Sequence, residues 1–208
     1  MIRAVLFDVD GVLLDSFEAN LKFYQDLMIV SGYRPPTRDE FPSLFYLPMW
    51  DGIKALTKSQ DENEIKKIWD MGRTKQVPYP MELLKIPAGA EEIVKALARD
   101  YVLAIVTSRV QESIYSIPDL AKLRQYFQAV VAYQDTQNHK PDPEPLLLAA
   151  KRLNAMPAES VYIGDVESDM HAAKSAGMKG ILYATHTVPA ADACTFSFLH
   201  LPKLIQSL

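Results

Sequence analysis

The 208-residue sequence is poor in cysteine and histidine and has no long apolar run, features that would each indicate a particular class of protein. Its single cysteine, Cys194, cannot form an internal disulfide bond, and its four histidines do not follow a spacing typical of zinc sites. Every apolar run is far shorter than a membrane-spanning helix, and Arg3, Asp8 and Asp10 interrupt the first one, which therefore does not resemble a signal peptide. We expect a cytoplasmic protein with no membrane partner, either a monomer or a weak dimer.

The sequence also lacks a surplus of positive charge. Lysine and arginine number 22 and aspartate and glutamate 26, which gives a net charge of −4. Nucleic-acid-binding proteins usually have a basic surplus, so we expect no nucleic-acid partner. Hydrophobic residues make up 49% of the chain and charged residues 23%. These are the values of an ordinary globular protein, and they exclude a disordered or low-complexity chain.

What the sequence does contain is an alternation of short apolar runs with helical patterns. The predicted strands are 2–9, 101–107, 128–133, 160–164 and 180–184, and the predicted helices are 90–99, 143–153 and 167–176. Strands that are apolar along most of their length, separated by helix-length segments, indicate a parallel sheet covered on both faces. The predicted fold class is therefore α/β, with a Rossmann-like, three-layer parallel sheet.

One long segment, residues 16–87, interrupts this alternation. Phe17 and Leu21 begin a series of apolar residues at helical spacing, the prolines of the segment divide it into short pieces, and no convincing strand is found. A crossover between adjacent parallel strands needs about 30 residues, far fewer than this segment contains. We therefore predict an α-helical domain over 16–87, inserted into an α/β core domain made of 1–15 and 88–208.

Two aspartates stand where the first predicted strand ends. Asp8 and Asp10 are two residues apart and so lie on the same side of an extended chain, at the edge where parallel sheets usually bind ligands. Two close carboxylates require a proton or a cation, and Mg²⁺ prefers hard oxygen ligands. Gly11 permits a sharp turn directly after them. An aspartate-rich turn with capping carboxylates would show the same pattern.

Three further polar groups follow later predicted strands. Thr107 and Ser108 offer hydroxyls and backbone amides suited to phosphate oxygens. Lys140 precedes a proline-rich turn that could direct its ammonium inward, and Asp165 and Asp169 lie in a loop and in the first turn of a helix. Each group has an ordinary structural explanation, such as a helix N-cap or acids at a helix N-terminus. Their conjunction, in this order and each after a strand, indicates a phosphate and metal site.

In order and spacing, these four segments resemble the four motifs of the haloacid dehalogenase (HAD) superfamily, and specifically those of its phosphatase branch. The resemblance covers nearly the whole chain. The inserted segment resembles the small α-helical cap of the family, and residues 191–208 resemble its closing strand and helix. The resemblance implies a phosphatase that requires Mg²⁺ and hydrolyses a small phosphorylated metabolite through an aspartyl-phosphate intermediate.

The resemblance also implies a role for each motif residue. Asp8 would be the nucleophile, and Asp10 the general acid and base that also gives its backbone carbonyl to the metal. Thr107 would bind the transferring phosphoryl group together with the backbone at Ser108, and Lys140 would neutralise charge on that group and on Asp8. The implied ligands of Mg²⁺ are Asp8, Asp10, Asp165 and Asp169.

The family's cap implies a lid that closes over the catalytic edge, excludes water and contacts the leaving group. Within the inserted segment, we expect Tyr46, Trp50 and Lys54 to contact the substrate. The motifs define only the phosphoryl end of the substrate, so they leave the identity of the leaving group open.

Two other functions share part of this pattern. A sugar-phosphate mutase of the β-phosphoglucomutase type would have the same motifs, and Lys54, Arg73 or Lys75 would then have to hold a second phosphate. A signalling receiver domain also combines carboxylates, Mg²⁺, a hydroxyl and a lysine. A receiver has no inserted domain, however, and its acceptor aspartate lies later in the sheet, so the sequence favours the phosphatase.

Overall fold

The computed structural model describes residues 1–45, 47 and 49–208. The chain divides into two compact units, which we call the core unit (Met1–Asp15 with Lys85–Leu208) and the inserted unit (Ser16–Leu84). Throughout the described part of the chain, each helix is too short or too polar to span a membrane.

The core unit is built on a parallel sheet. Within the described residues its strands are β1 (Ala4–Phe7), β2 (Val102–Val106), β3 (Ala129–Val131), β4 (Ser160–Gly164), β5 (Lys179–Tyr183) and β6 (Ala193–Thr195), in the spatial order β3-β2-β1-β4-β5-β6. Strand β1 lies at the centre, with Val5 opposite Leu103 of β2 and Val161 of β4. All four residues of β1 are fully buried, as expected for a strand covered on both faces.

The inserted unit is helical. Its described helices are α1 (Phe17–Val30), α2 (Pro42–Phe45), α3 (Met49–Thr57) and α4 (Glu62–Arg73). They enclose a hydrophobic core of their own that is rich in aromatic side chains and includes Phe41, Ile53 and Ile65, all buried. Helix α4 begins at the N-cap Asp61, whose side chain accepts a hydrogen bond from the Asn63 N–H, an arrangement that satisfies an otherwise unpaired donor.

Helices pack on both faces of the sheet in the core unit. Its described helices are α5 (Ala90–Leu97), α6 (Gln111–Ile114), α7 (Pro118–Leu123), α8 (Glu144–Arg152), α9 (Glu167–Ser175) and α10 (Leu201–Ser207). Ala4 and Leu6 of β1 share one hydrophobic cluster with α8 and α9. Phe7 points to the opposite face, where its ring stacks on Phe198 at 6.4 Å and meets the edge of Phe127 at 6.1 Å. The three-layer α/β fold is confirmed.

The strands lie where the sequence predicts them, but their ends differ from the predicted ends. The strand predicted over 2–9 covers only Ala4–Phe7, and the one predicted over 128–133 covers Ala129–Val131. The reason is visible after β1, where Val9, Val12 and Leu13 form a turn and are fully buried. Hydrophobicity therefore continues past the point where sheet pairing ends.

Candidate active site

Polar side chains from four segments of the core unit lie together at the carboxyl-terminal edge of the sheet. Asp8 directly follows β1, Thr107 follows β2 and Asp165 follows β4, and these strands are neighbours. Lys140 lies in the loop between β3 and α8, and its ammonium reaches Asp8. The three residues at the strand ends are buried, although polar side chains are mostly exposed in proteins. The structure thus brings together one predicted residue from each of the four motifs.

Lys140 is the centre of the hydrogen-bond network. Its Nζ donates to Oδ2 of Asp8 at 2.7 Å and lies 2.7 Å from Oδ1 of Asp169, and its side chain is only 7% exposed. Burial disfavours the ammonium charge, but Asp8, Tyr162 and Asp169 outweigh this effect and raise the pKa of Lys140 well above its ordinary value. Lys140 is therefore a cation in the site.

Tyr162 is a member of this network that the sequence analysis did not identify. Its hydroxyl accepts a hydrogen bond from Lys140 Nζ at 2.8 Å and donates one to the backbone carbonyl of Val106 at 3.2 Å. The phenol is fully buried in β4. Burial, together with the neighbouring Asp169 and Asp8, raises its pKa well above the ordinary value, so the hydroxyl stays protonated. Tyr162 thus positions Lys140 relative to the end of β2.

Three carboxylates of the site are close enough to share a cation. One oxygen from each of Asp8, Asp165 and Asp169 lies within 4.8 Å of the others. Burial is the largest effect on two of them: with the neighbouring carboxylates, it raises the pKa of Asp8 to about 7, despite the opposing Lys140, and that of Asp165 to about 8. When all three carboxyl groups are ionised, Lys140 balances only one of the three negative charges. A divalent cation would balance the other two, and an all-carboxylate donor set suits a hard ion such as Mg²⁺.

Asp169 has partners within the protein for both of its carboxylate oxygens. Oδ2 accepts the backbone N–H groups of Asp165 and Val166 at 3.1 and 3.3 Å, and Oδ1 pairs with Lys140. The side chain is completely buried. A Cβ on Gly164 would lie 2.4 Å from Asp169, so glycine is required for this close approach. Asp169 therefore fixes the loop that carries Asp165 as well as the ammonium of Lys140.

Gly11 makes a second close approach possible. Its φ angle is +75°, a conformation that side chains other than glycine rarely adopt. A Cβ at this position would lie 1.9 Å from Oδ2 of Asp165. The turn after Asp8 and Asp10 therefore packs directly against the carboxylate of Asp165, and only glycine allows it.

The predicted phosphate-binding residues differ in their exposure. Thr107 is buried, its N–H extends the sheet by donating to Val131, and its Oγ1 accepts the N–H of Arg109 at 3.2 Å. Ser108 is exposed. The turn therefore places the hydroxyl of Thr107 at the end of β2, next to the strand that precedes Asp8, while the N–H groups of Thr107 and Arg109 are already bonded within the protein.

Asp10 lies at the edge of the cluster and is bound by an arginine. Nε and Nη2 of Arg109 each donate to one oxygen of its carboxylate at 2.7 Å. The side chain of Asp10 is 45% exposed and that of Arg109 is 16% exposed. The sequence analysis did not assign a role to Arg109, because the residue lies one position beyond the predicted phosphate-binding pair.

The residues predicted to contact the leaving group belong to the inserted unit. Trp50 is half-buried and meets the edge of Trp69 at 6.2 Å, and Lys54 is exposed on α3. Tyr46 lies outside the described residues. The guanidinium of Arg73 lies over the ring of Trp69 at 4.5 Å.

The chain is similar to known hydrolases over almost its whole length. A sequence model of haloacid dehalogenase-like hydrolases matches residues 5–183. The phosphorylated carbohydrates phosphatase of Thermotoga maritima is 31% identical over 193 aligned residues, which cover 90% of this chain and 87% of that protein. The pyrophosphatase PpaX of Halalkalibacterium halodurans is 30% identical over 181 residues, with coverages of 86% and 81%. The crystal structure of a HAD-superfamily hydrolase of subfamily IA from Geobacter sulfurreducens superposes with a TM-score of 0.79 at 27% identity and covers 98% of this chain and 96% of that one.

The raised pKa values of Asp8 and Asp165 predict how stability depends on pH without metal. Between about pH 4 and about pH 8 the folded protein retains protons on these groups that the unfolded chain has lost, so the free energy of unfolding falls as pH rises. Mg²⁺ competes with these protons, so the increase in Tm that it causes is expected to be larger at about pH 8 than at about pH 6.

Thermal unfolding in EDTA and in Mg²⁺ across this pH range measures both effects. The Asp165→Asn variant is the control, since it removes one of the two titrating carboxylates and one ligand. We expect it to have a shallower slope of Tm against pH in EDTA and a smaller response to Mg²⁺. An equal response to Mg²⁺ at both ends of the range would contradict the assignment of these groups.

Gly11→Ala tests the close approach to Asp165, and Gly177→Ala is a matched control. Both glycines have similar φ angles, +75° and +72°, but a Cβ on Gly177 would meet no atom within 4 Å. Each variant has a similar backbone penalty of roughly 1–2 kcal/mol, whereas only Gly11→Ala displaces the Asp165 carboxylate. We expect the response of Tm to Mg²⁺ to be lost in Gly11→Ala and kept in Gly177→Ala. A similar response in the two variants would show that the contact is unimportant.

Proposed function

Because the chain belongs to the haloacid dehalogenase-like hydrolase family, we propose that it is a phosphatase of that family that requires Mg²⁺ and hydrolyses a small phosphorylated metabolite through an aspartyl-phosphate on Asp8. The observation that carries this proposal is the buried contact between the Asp8 carboxylate and the Lys140 ammonium, with the hydroxyl of Thr107 following the neighbouring strand. A nucleophile, a cation and a phosphate-binding turn thus lie at one edge of the sheet.

Asp8 is suited to nucleophilic attack on a phosphate ester. Its Oδ1 accepts the N–H of Val9 at 2.6 Å and its Oδ2 accepts from Lys140, so the carboxylate is held in one orientation. Attack on an anionic phosphate must overcome about 4 kcal/mol per pair of unit charges at 4 Å with an effective dielectric constant near 20. Lys140 offsets part of this repulsion. Covalent catalysis then replaces one difficult displacement by two easier ones.

The carboxylates define where a metal ion would bind. Asp8 and Asp165 would hold Mg²⁺ with the backbone carbonyl of Asp10, and Asp169 would complete or support the site. Bound there, Mg²⁺ would supply positive charge to the phosphoryl oxygens. The fit rests on the donor set: the three side chains offer carboxylate oxygens, and Lys140 alone does not neutralise them.

Asp10 would serve as general acid and base. Its carboxylate lies two residues from the nucleophile and is more exposed than the other acids of the site. Arg109 donates to both of its oxygens, so one of these hydrogen bonds would open before Asp10 meets a leaving oxygen or an attacking water. A carboxyl group in this position protonates the alcohol in the first displacement and removes a proton from water in the second.

The leaving group is less closely defined than the phosphoryl group. The names of the relatives given above state phosphorylated carbohydrates or pyrophosphate as their substrates. Either would be a small phosphorylated substrate of the kind proposed here. We propose that the inserted domain, predicted over 16–87, acts as a cap that selects the leaving group through Trp50 and Lys54. A mutase would need a cation for a second phosphate. Arg73, one candidate for that role, instead packs its guanidinium over the ring of Trp69, which favours the phosphatase.

We also propose that the enzyme acts in the cytoplasm, as a monomer or weak dimer, on small molecules and not on nucleic acids. Its acidic net charge of −4 supports the last point. Sedimentation of the purified protein would measure its oligomeric state.

Asp8→Asn tests the covalent mechanism. The amide is a far weaker nucleophile, so we expect kcat for p-nitrophenyl phosphate in Mg²⁺ to fall by roughly 1,000-fold or more while the protein stays folded. The phosphate adduct should appear on the peptide containing Asp8 in acid-quenched wild-type enzyme and be absent from the variant. Asp100→Asn, at an exposed position of the core unit, is the matched control and should keep full activity. Retention of more than a small share of activity in Asp8→Asn would refute the mechanism.

Lys54→Ala tests selection by the inserted unit. If Lys54 contacts the leaving group, its loss should change the ratio of kcat/KM between a sugar phosphate and p-nitrophenyl phosphate by about three- to tenfold. Lys67→Ala is the control, because Lys67 is also an exposed lysine on a helix of the inserted unit. An unchanged ratio in Lys54→Ala would exclude a role in selectivity.

A further inference from the structure

Tyr162 connects three of the segments that form the active site. It belongs to β4, and its hydroxyl donates to the backbone carbonyl of Val106 at the end of β2, 3.2 Å away. Strand β1 lies between β2 and β4, so the phenol reaches across the strand that Asp8 follows. The same hydroxyl accepts a hydrogen bond from Lys140, which comes from the loop after β3. One neutral side chain thus meets both the cation of the site and the residue that precedes Thr107.

Three acceptor oxygens surround the Lys140 ammonium, which itself has three N–H donors. They are Oδ2 of Asp8 at 2.7 Å, Oδ1 of Asp169 at 2.7 Å and the hydroxyl of Tyr162 at 2.8 Å. Tyr162 and Asp169 are completely buried, whereas the side chain of Asp8 is 11% exposed. The side of the ammonium that faces Asp8 is therefore the side from which a substrate can approach it.

The contact with Asp8 cannot stay constant during the proposed reaction. Its carboxylate becomes an aspartyl-phosphate, whereas the oxygens of Tyr162 and Asp169 keep their chemical form. A lysine needs such constant contacts, because its ammonium is a point charge at the end of a flexible four-carbon stem. Tyr162 also adds a contact without adding negative charge. A third carboxylate in its place would cancel more of the ammonium charge, which the phenol leaves available to the phosphoryl group.

From these contacts we propose that Tyr162 is a positioning residue for phosphoryl transfer. Its hydroxyl and Oδ1 of Asp169 hold two N–H groups of Lys140, and the third, now bonded to Asp8, turns to a phosphoryl oxygen when Asp8 attacks. The bond to the Val106 carbonyl fixes the ammonium relative to the phosphate-binding turn that follows. No proton leaves Lys140 or Tyr162 in this step. The inference rests on the proposed function and adds a residue to the same site.

A purely structural role for the hydroxyl makes a different prediction. The ring of Tyr162 packs in the hydrophobic cluster that contains Leu6 and Leu146, and phenylalanine keeps this packing while it removes the hydroxyl. If the hydroxyl contributes only to folding, Tyr162→Phe lowers Tm and leaves kcat of the folded enzyme unchanged. If it positions Lys140, kcat falls and KM changes little, because a misplaced charge matters most in the transition state.

The kinetic experiment compares wild-type enzyme with Tyr162→Phe, Lys140→Gln and the double variant on p-nitrophenyl phosphate in Mg²⁺. For Tyr162→Phe we expect kcat to fall by about 10- to 100-fold, the range for a displaced catalytic group, with KM within about twofold. In the Lys140→Gln background the same change should lower kcat by less than about twofold, because the hydroxyl acts through the ammonium.

Tyr101→Phe is the matched control and should keep full activity. Tyr101 is half-buried in the same unit and directly precedes β2, so it lies at the opposite edge of the parallel sheet from the carboxylates. An unchanged kcat in Tyr162→Phe would overturn the proposal, as would an equal loss in the wild-type and Lys140→Gln backgrounds. Activity of the wild-type enzyme, with Asp8→Asn as the inactive reference, reports separately on the proposed function.

A binding measurement tests the same assignment without turnover. Orthovanadate can adopt the five-coordinate geometry of a phosphoryl group in transfer, whereas inorganic phosphate stays tetrahedral. In calorimetry with Mg²⁺, Tyr162→Phe should weaken orthovanadate by about tenfold more than phosphate, since the positioned N–H serves the transferring group. Equal weakening of the two anions, or no binding of orthovanadate to the wild-type protein, would refute the role of Tyr162. Selective weakening would support it even if no phosphate ester were hydrolysed.

Discussion

The buried cluster of three carboxylates and one lysine, in which Lys140 pairs with Asp8 and Asp169, is the constraint on which the rest of the core unit depends. Asp8, Asp165 and Asp169 bring three negative charges to a place largely removed from water, and desolvation makes each of them costly unless it is paired. Lys140 balances one charge, and protons or a divalent cation must balance the others. The sheet edge thus has a need for positive charge that a metal ion can meet.

Maintaining this cluster requires support from well beyond the carboxylates. Tyr162 links Lys140 to the backbone of β2 through Val106, and its ring belongs to the hydrophobic cluster that joins the sheet to α8 and α9. Asp169 caps the loop after β4 through two N–H groups. The lysine, which lies far along the chain from Asp8, is therefore positioned by the same packing that forms the three-layer core.

The sequence predicted the sheet, and the structure brings one residue of each motif together at its edge, for a physical reason. Residues that are buried on both faces of a parallel sheet must be apolar, and the chemistry at the strand ends needs particular side chains in a particular order. Strand ends were predicted less well, because Val9 and Val12 of the following turn are as buried as the strand itself. Tyr162 was missed because a tyrosine inside a buried strand is indistinguishable in the sequence from any other core aromatic residue.

Arg109 could not have been assigned from the sequence, since an arginine beyond a strand is an ordinary surface residue until its partner is known. Its bidentate contact with Asp10 joins residues 99 positions apart. Lys140 pairs with Asp8 and Asp169 and is 7% exposed, whereas Arg109 pairs with Asp10 and is 16% exposed. The acids that follow β1 are therefore balanced by two different cations, which come from two different loops of the core unit.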